Sequence, residues 1–254
     1  MHKPRKRFGQ NFLTDETVID RIVSTIAPKV GENILEIGPG RGAMSLPLLK
    51  KSGELHVVEI DKDLISLLES FNNPGLHIYQ NDVLKFDLKT LPKPLRVVGN
   101  LPYNISSPIL FHLLESKHRI KDMTFMLQKE VVQRIVAQPG SKDYSRLSVM
   151  MQAFFETEMV FIVPPESFYP MPKVDSAIVY LKPIAKALID DKESFAKIVK
   201  AAFSQKRKTL RNCLKSILNQ QQTDIDLSKR AETLSIDDFV TLNNDYIKHH
   251  GKQH

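Results

Sequence analysis

The sequence has little cysteine and no paired metal-ligand spacing. Its single cysteine, Cys213, can form no internal disulfide bond, and its eight histidines are not arranged in ligand pairs. Disulfide scaffolds and zinc ribbons are thereby excluded, and a chain of 254 residues can bury one or two hydrophobic cores without them. Because such cysteine usage is typical of reducing compartments, we expect a cytoplasmic protein. Because the histidines and the cysteine are not spaced as metal ligands, we expect no bound metal.

Long hydrophobic runs are also missing. No apolar stretch approaches the roughly 18 residues that a membrane span needs, and the longest are short segments such as 159–163. The basic start, MHKPRKRFGQ, is followed by polar GQNFLTDE where a secretory signal has its apolar core. We therefore expect no membrane span and interpret the basic start as part of the mature chain.

Acidic residues are missing from two basic segments. The first ten residues carry four basic side chains, and 194–216 carry seven. The two segments together carry eleven positive charges, whereas the net charge of the whole chain is +7, so the remaining residues have a net charge of −4. Any polyanion-binding surface is therefore confined to these segments. A short basic run is usually a solvated helix face, but seven basic residues without one acid favour nucleic acid as a partner. The residues expected at this surface include Lys206, Arg207, Lys208 and Arg211.

Hydrophobic patterning predicts an α/β fold for most of the chain. Short apolar or β-branched runs predict strands, and runs with a spacing near 3.6 predict helices between them. Strands are expected at 34–37, 55–60, 76–80, 97–100 and 123–127, and helices at 64–71, 109–114 and 131–137. A helix that begins near Met44 places Pro47 in its first turn, where proline is tolerated. This alternation is typical of a mostly parallel sheet with helices on both faces.

The pattern changes after residue 158. Two apolar runs, 159–163 and 176–181, flank the segment PPESFYPMPKVD, whose four prolines exclude a helix. We interpret the runs as a hairpin-like sheet edge with a rigid loop, where binding residues tend to lie. Only helical spacing follows Pro183. The predicted organisation is a domain at 1–186, which includes a basic arm at 1–10, and a small all-helical domain at 187–254.

A glycine-rich turn follows the first predicted strand, in the segment ILEIGPGRG at 34–42. Gly38, Gly40 and Gly42 let a ligand approach the backbone where a Cβ would collide. Alone this is weak evidence, because such turns also occur without a ligand and a dinucleotide site has a similar one. The next strand ends in Glu59, 19 residues after Gly40, where a carboxylate can accept hydrogen bonds from ribose hydroxyls. Asp61 is the better candidate for capping the following helix.

Two further carboxylates favour an adenosine that carries a positive charge. Asp82 follows the next strand at the same edge of the sheet, where it can accept a hydrogen bond from an exocyclic amine. Glu36 precedes the glycine turn and would repel the pyrophosphate of NAD, whereas a sulfonium cofactor suits an acid there. These strand ends therefore predict an adenosine-containing sulfonium cofactor.

The fourth predicted strand ends in VVGNLPYNIS, residues 97–106. An adenine amino group is a poor nucleophile because its lone pair is delocalised into the ring. Acceptors on both N–H bonds draw the nitrogen towards tetrahedral geometry, and the side-chain oxygen of Asn100 and the carbonyl of Leu101 are the expected acceptors. Pro102 stiffens the turn, and Tyr103 offers a flat face for base stacking. An ordinary proline turn is the alternative, and it leaves the asparagine and the tyrosine unexplained.

These motifs resemble those of the ribosomal RNA adenine N6-dimethyltransferases, most closely the bacterial small-subunit type, over nearly the whole chain. The pair GQNFL and NLPYNIS is highly specific for the family. The matching segments are GQNFL at 9–13, EIGPGRG at 36–42, VVEID at 57–61, ND at 81–82, GNLPYNISSPILFHLL at 99–114, MLQKEVVQRI at 126–135, YSRLSVM at 144–150 and FYPMPKVDS at 168–176.

The resemblance implies a class I, Rossmann-like methyltransferase with a seven-stranded, mostly parallel sheet and a C-terminal helical domain. Its implied reaction is the transfer of two methyl groups from S-adenosylmethionine to each of two adjacent adenosines in a small-subunit (16S) rRNA hairpin. The implied partner is this rRNA within an assembling ribosomal subunit. We expect the enzyme to act as a monomer.

The resemblance also assigns roles to individual residues. Phe168, in the proline-rich loop, would face the target base opposite Tyr103, and its alternative role is that of a core residue under the loop. Implied cofactor contacts are Asn11, Leu13, Gly38, Gly40, Glu59, Asp82 and Asn100. Implied target contacts are Asn100, Leu101, Tyr103 and Phe168.

Three other functions remain open at this point. One is an adenine N6-methyltransferase of large-subunit rRNA, the antibiotic-resistance type, or of DNA, against which Asn100 at the head of its motif argues. Another is a ribosome assembly factor whose RNA binding matters more than its catalysis. A nicotinamide oxidoreductase is the most remote, because nothing in it accounts for NLPY.

Overall fold

A computed structural model describes residues 10–185, 189, 191–205 and 207–251. The strands in these ranges are β1 (Phe12–Leu13), β2 (Asn33–Ile37), β3 (Leu55–Glu59), β4 (Leu76–Gln80), β5 (Leu95–Asn100), β6 (Ile120–Gln128), β7 (Phe155–Val163), β8 (Phe168–Tyr169) and β9 (Ser176–Pro183). The helices are α1 (Glu16–Ile26), α2 (Ser45–Ser52), α3 (Lys62–Glu69), α4 (Ser106–Glu115), α5 (Lys129–Val136), α6 (Arg146–Gln152), α7 (Lys192–Ala202), α8 (Leu210–Leu214) and α9 (Ile236–His250).

The main sheet has seven strands in the order β4-β3-β2-β5-β6-β9-β7. The first five are parallel, since β2 pairs with β3 and β5, β3 with β4, and β5 with β6 in parallel registers. Strand β9 runs antiparallel to β6. The central strands are buried almost throughout, as expected where helices cover both faces. The mostly parallel seven-stranded sheet confirms the predicted fold class.

Several local predictions agree with the structure. All five predicted strands of the parallel region are present, and the last extends to Ile120–Gln128. Helix α2 begins at Ser45, and Pro47 lies in its first turn, as predicted. Periodicity does not identify α1, which begins after the N-cap Asp15, whose carboxylate accepts a hydrogen bond from the Val18 amide. Beyond Pro183, the described residues contain helices and no strand.

A second, two-stranded sheet joins distant parts of the chain. Strand β1 pairs with β8 in antiparallel register, with Phe12 opposite Tyr169 and Leu13 opposite Phe168. The sequence does not predict this pair, because two-residue strands have no measurable periodicity. The pairing attaches the GQNFL segment to the proline-rich loop.

Contacts within the chain define two compact structural units. One comprises the residues up to 132 together with 158–183, and the other comprises 133–157 together with the residues from 184 onward. The expected division was a single boundary after residue 186. Residues 133–157 belong with the C-terminal helices because the ring of Tyr144 packs against Phe203 and that of Phe154 against Phe195.

A buried cluster of charges joins β5, β6 and the segment before β2. The Arg96 guanidinium donates to Asp122 (Nε to Oδ1, 2.9 Å), to Glu32 (Nη1 to Oε2, 2.8 Å) and to the carbonyl of Ile26 (2.7 Å). Lys121 also donates to Glu32. Burial raises the pKa of Glu32, but hydrogen bonds from Lys121 and Arg96 outweigh this and lower the pKa to about 2. The cluster ties α1 to the sheet.

Candidate active site

A cavity of about 320 Å³ lies at the carboxyl ends of the parallel strands. Strand β2 has β3 on one side and β5 on the other, so the strand order reverses between β2 and β5. Such a switch point is where open α/β sheets bind their ligands. The cavity is lined by residues from the predicted motifs, namely Asn11, Phe12, Leu13, Glu36, Gly38, Gly40, Glu59, Asp82, Asn100, Leu101 and Tyr103, among others.

The glycine turn gives the cavity its floor. Gly38 and Gly40 have φ of 67° and 58°, in the left-handed region that favours glycine. A Cβ on Gly40 would lie 3.1 Å from the ring of Phe12. Both the conformation and the close approach of Phe12 therefore require glycine at position 40.

Glu59 is buried at the end of β3 and is fixed by its own loop. Its Oε1 accepts hydrogen bonds from the backbone amides of Ile60 (2.8 Å) and Asp61 (2.9 Å). Burial raises the pKa of Glu59, and backbone hydrogen bonds from Asp61, Ile60 and Gly40 oppose the increase. Asp61 caps α3, as predicted. The Glu59 carboxylate is thus held rigidly at the cavity wall.

Glu36 brings a second buried carboxyl group to the cavity. It is 1% exposed, and the Ser45 hydroxyl donates a hydrogen bond to its Oε2. Burial, with a contribution from the nearby Glu59, raises the pKa of Glu36 to about 7, although the Ser45 hydrogen bond opposes this. A cationic ligand in the cavity would favour the charged form of this group.

Asp82 occupies the third strand end, as the sequence predicts. It follows β4, lines the cavity and accepts a hydrogen bond from the Leu84 amide at 3.0 Å through Oδ1. This bond makes Asp82 the cap of a short 3₁₀ turn. The loop geometry therefore holds the carboxylate at the cavity.

The NLPY turn contributes the opposite wall of the cavity. Asn100 donates from Nδ2 to the carbonyl of Asn11 at 3.0 Å, so its side-chain oxygen points away from that contact. The Leu101 amide donates to the Met126 carbonyl, which fixes the turn to β6. The Tyr103 hydroxyl is 2.6 Å from the Ser176 hydroxyl on β9. The polar groups of this turn are thus pre-positioned.

Phe168 lies in the hydrophobic core rather than at the cavity. It is 4% exposed and packs in a core cluster that includes Leu13. Because Phe168 and Leu13 are directly opposite in the two-stranded sheet, their side chains lie on the same face. The structure thus places Phe168 where the alternative interpretation put it, and Leu13 reaches both the core and the cavity.

Two residues near the site were missed by the sequence analysis. Phe12 lines the cavity with the Arg41 guanidinium 4.5 Å from its ring centroid. Ser176 is fully buried and holds the Tyr103 hydroxyl. Both residues lie inside matched motifs, GQNFL and FYPMPKVDS, in which the resemblance assigns roles to other residues.

The expected basic surface lies in the second unit. Arg207, Lys208 and Arg211 are exposed there, whereas Lys206 lies outside the described residues, as does most of the basic arm at 1–10. The Leu210 amide donates to the Lys229 carbonyl at 2.8 Å. This contact places Lys229 beside the basic segment. The sequence does not indicate this placement, because Lys229 lies outside the basic segment and has acidic neighbours.

The described part of the chain contains no helix long and apolar enough to cross a membrane. Among the same residues, histidine, cysteine and acidic side chains form no group of three or more that could hold a metal.

A mostly parallel sheet, with a glycine turn and three acidic strand ends around one cavity, defines a Rossmann-like enzyme of the methyltransferase class. Solved structures of methyltransferases have the same fold. A dimethyladenosine transferase from Plasmodium falciparum superimposes with a TM-score of 0.82 at 27% identity, covering 93% of this chain and 98% of that chain. The 23S rRNA methyltransferase ErmE does so with a TM-score of 0.73 at 28% identity, covering 93% and 99%.

Curated relatives are more similar in sequence. The protein from Hydrogenovibrio crunogenus, named ribosomal RNA small subunit methyltransferase A, is 54% identical over an alignment of 261 positions that covers 97% of this chain and 98% of its own. One of the same name from Aromatoleum aromaticum is 52% identical over 249 residues, 96% and 94% of the two chains. The family model for ribosomal RNA adenine dimethylase matches residues 1–248. The chain belongs to the ribosomal RNA adenine dimethylase family, which confirms the resemblance.

Proposed function

We propose that the protein transfers methyl groups from S-adenosylmethionine to N6 of two adjacent adenosines in a small-subunit (16S) rRNA hairpin. The observation that carries this proposal is that Asn100 and the NLPY turn line the same cavity as the glycine turn and the acidic strand ends. Cofactor groups and target groups thus converge at one place. The relatives named small subunit methyltransferase A support this subunit over the large one.

The residues around the cavity fit S-adenosylmethionine. Gly40 leaves room for close approach to the backbone, Glu59 can accept hydrogen bonds from ribose hydroxyls, and Asp82 can accept one from the adenine amine. The carboxyl group of Glu36 suits a cation. Bound there, the cofactor supplies a methyl group on positively charged sulfur.

The NLPY turn prepares the target amine. The Asn100 side-chain oxygen and the Leu101 carbonyl accept hydrogen bonds from the two N–H groups of the adenine N6, which exposes its lone pair. Tyr103 stacks on the base. Because the target is held by groups that are already oriented, most of the catalysis comes from positioning and electrostatics. No general base is needed, because the methylated amine is first an ammonium, far more acidic than a free amine, and loses its extra proton to water. The base must leave its RNA stack to reach the cavity.

The Glu59 assignment predicts a loss of cofactor affinity. We expect Glu59→Ala to weaken S-adenosylmethionine binding by about 1–3 kcal/mol, the range for hydrogen bonds that involve a charged group. Calorimetric titration with the cofactor measures this directly. The matched control is Glu69→Ala, which removes an exposed carboxylate at the end of α3. Equal affinities for the two variants would refute the assignment.

The basic surface predicts a change in the salt dependence of RNA binding. Each lost phosphate contact lowers the slope of log K against log salt by roughly 0.7 to 0.9. We therefore expect Arg207→Glu/Lys208→Glu to weaken RNA binding and to flatten that slope, with cofactor affinity unchanged. Filter binding at several salt concentrations measures the slope. Lys50→Glu/Lys51→Glu, a reversal of two exposed lysines at α2, serves as the control. If the slope of log K against log salt equals that of the control, Arg207 and Lys208 only form a solvated surface and do not contact RNA.

The proposal as a whole is tested by methyl transfer to purified ribosomal subunits. Labelled S-adenosylmethionine is supplied with small or with large subunits that lack the modification. We expect label in the rRNA of the small subunit. Label in large-subunit rRNA alone would favour the antibiotic-resistance type of enzyme. We further propose a cytoplasmic monomer whose partner is the rRNA of an assembling subunit.

A further inference from the structure

Tyr169 is an exposed residue whose orientation follows from strand register. In the two-stranded sheet, Phe12 lies directly opposite Tyr169, and Leu13 lies opposite Phe168. Opposite side chains in an antiparallel pair share a face, and successive side chains alternate between faces. Because Leu13 and Phe168 both pack in the hydrophobic core, Phe12 and Tyr169 lie on the other face.

That face continues the wall of the cavity outward. Phe12 lines the cavity and packs against Gly40, and the guanidinium of Arg41 lies over its ring. Phe12 is 7% exposed, whereas Tyr169 is 61% exposed. The face therefore runs from the buried cavity wall to solvent, with an aromatic ring at each end and a cation beside the inner ring.

We propose that Tyr169 is a substrate-binding residue that stacks on an unpaired RNA base adjacent to the target adenosine. The inference rests on the proposed function, because a strand opened to deliver one adenosine to the cavity also exposes the neighbouring base. Tyr103 stacks on the target base inside the cavity, and Tyr169 stacks on the neighbouring base at the rim of the cavity. Stacking on an exposed aromatic ring is available to any base, and the charge of Arg41 favours the RNA backbone nearby.

The first test separates RNA binding from chemistry. We expect Tyr169→Ala to raise the KM for small-subunit RNA roughly tenfold, in line with the loss of one base stack, and to leave kcat nearly unchanged. Tyr169→Phe retains the ring and restores the KM. Met171→Ala is the matched control, because Met171 is 62% exposed in the same loop. Thermal unfolding of each variant identifies any loss of structure.

The second test does not depend on activity. The chain contains no tryptophan, so Tyr169→Trp introduces a single indole fluorophore at the proposed stacking position. Titration with a synthetic RNA hairpin that carries two adjacent adenosines in its loop should quench this fluorescence. The same titration of Met171→Trp should cause little quenching.

The outcomes separate this inference from the proposed function. Quenching specific to position 169, together with a raised KM in Tyr169→Ala, supports the stacking role. An unchanged KM in a folded Tyr169→Ala variant, or equal quenching at both positions, overturns it. If the parent protein transfers no methyl group to small-subunit RNA, the proposed function fails, and the fluorescence titration still decides whether Tyr169 contacts RNA.

Discussion

Asn100→Ala is expected to lower kcat about 100- to 1000-fold at saturating cofactor and RNA. The physical reason is that the side-chain oxygen accepts a hydrogen bond from the reacting amine, and removal of one pre-oriented group that stabilises a transition state costs about 3–4 kcal/mol. The bond from Asn100 to the Asn11 carbonyl fixes the orientation of this oxygen before RNA arrives. Single-turnover methylation of small-subunit rRNA measures the effect.

The control for this prediction is Asn244→Ala, which removes an exposed asparagine from helix α9. It should keep the rate of the parent protein. If Asn100→Ala melts early and its remaining activity equals its folded fraction, Asn100 has only a structural role. Complementation of cells that lack the protein with the Asn100→Ala variant also shows whether ribosome assembly requires the protein itself or its catalytic activity.

Arg96→Met is expected to destabilise the fold by about 3–5 kcal/mol. Removal of the guanidinium leaves the buried carboxylate of Asp122 without its partner, and an uncompensated buried charge carries a cost of this size. Glu32 loses its bond to Arg96 but keeps the one from Lys121. The carbonyl of Ile26 also loses its donor. Urea unfolding followed by circular dichroism measures the change in the free energy of unfolding.

Lys121→Met provides the matched control because Lys121 pairs with the same carboxylate, Glu32, from an exposed position. Its side chain is 51% exposed, and exposed ion pairs contribute about 0–1 kcal/mol. A large loss with Arg96→Met and a small loss with Lys121→Met are the expected pair of results. If both variants lose the same free energy of unfolding, burial does not determine how much an ion pair of this cluster contributes to stability.

The sequence predicted the parts of the site that depend on local signals. The glycine turn with Gly38 and Gly40 follows a buried strand, and both glycines adopt the positive φ that the motif implies. Glu59 and Asp82 follow neighbouring strands, and parallel strands bring their carboxyl ends to one edge. Strand periodicity and turn chemistry were therefore enough to assemble most of the cavity.

The remaining features depend on contacts between distant segments. The pairing of β1 with β8 joins residues more than 150 positions apart, and a pair of two-residue strands leaves no pattern to detect. Without that register, Phe168 and Tyr169 cannot be assigned to faces, and the resemblance alone points to Phe168, which packs in the core. Lys229 was missed for the same reason, because only a backbone contact with Leu210 places it beside the basic segment.

Dimethylation of two adjacent adenosines of small-subunit rRNA is tested most directly by mass spectrometry of that rRNA. Small subunits that lack the modification are incubated with the protein and labelled S-adenosylmethionine, and nuclease fragments of the rRNA are analysed. We expect one fragment that carries four added methyl groups, two on the N6 of each of two neighbouring adenosines. Methyl groups on other positions, or none in the presence of folded protein and cofactor, would contradict it.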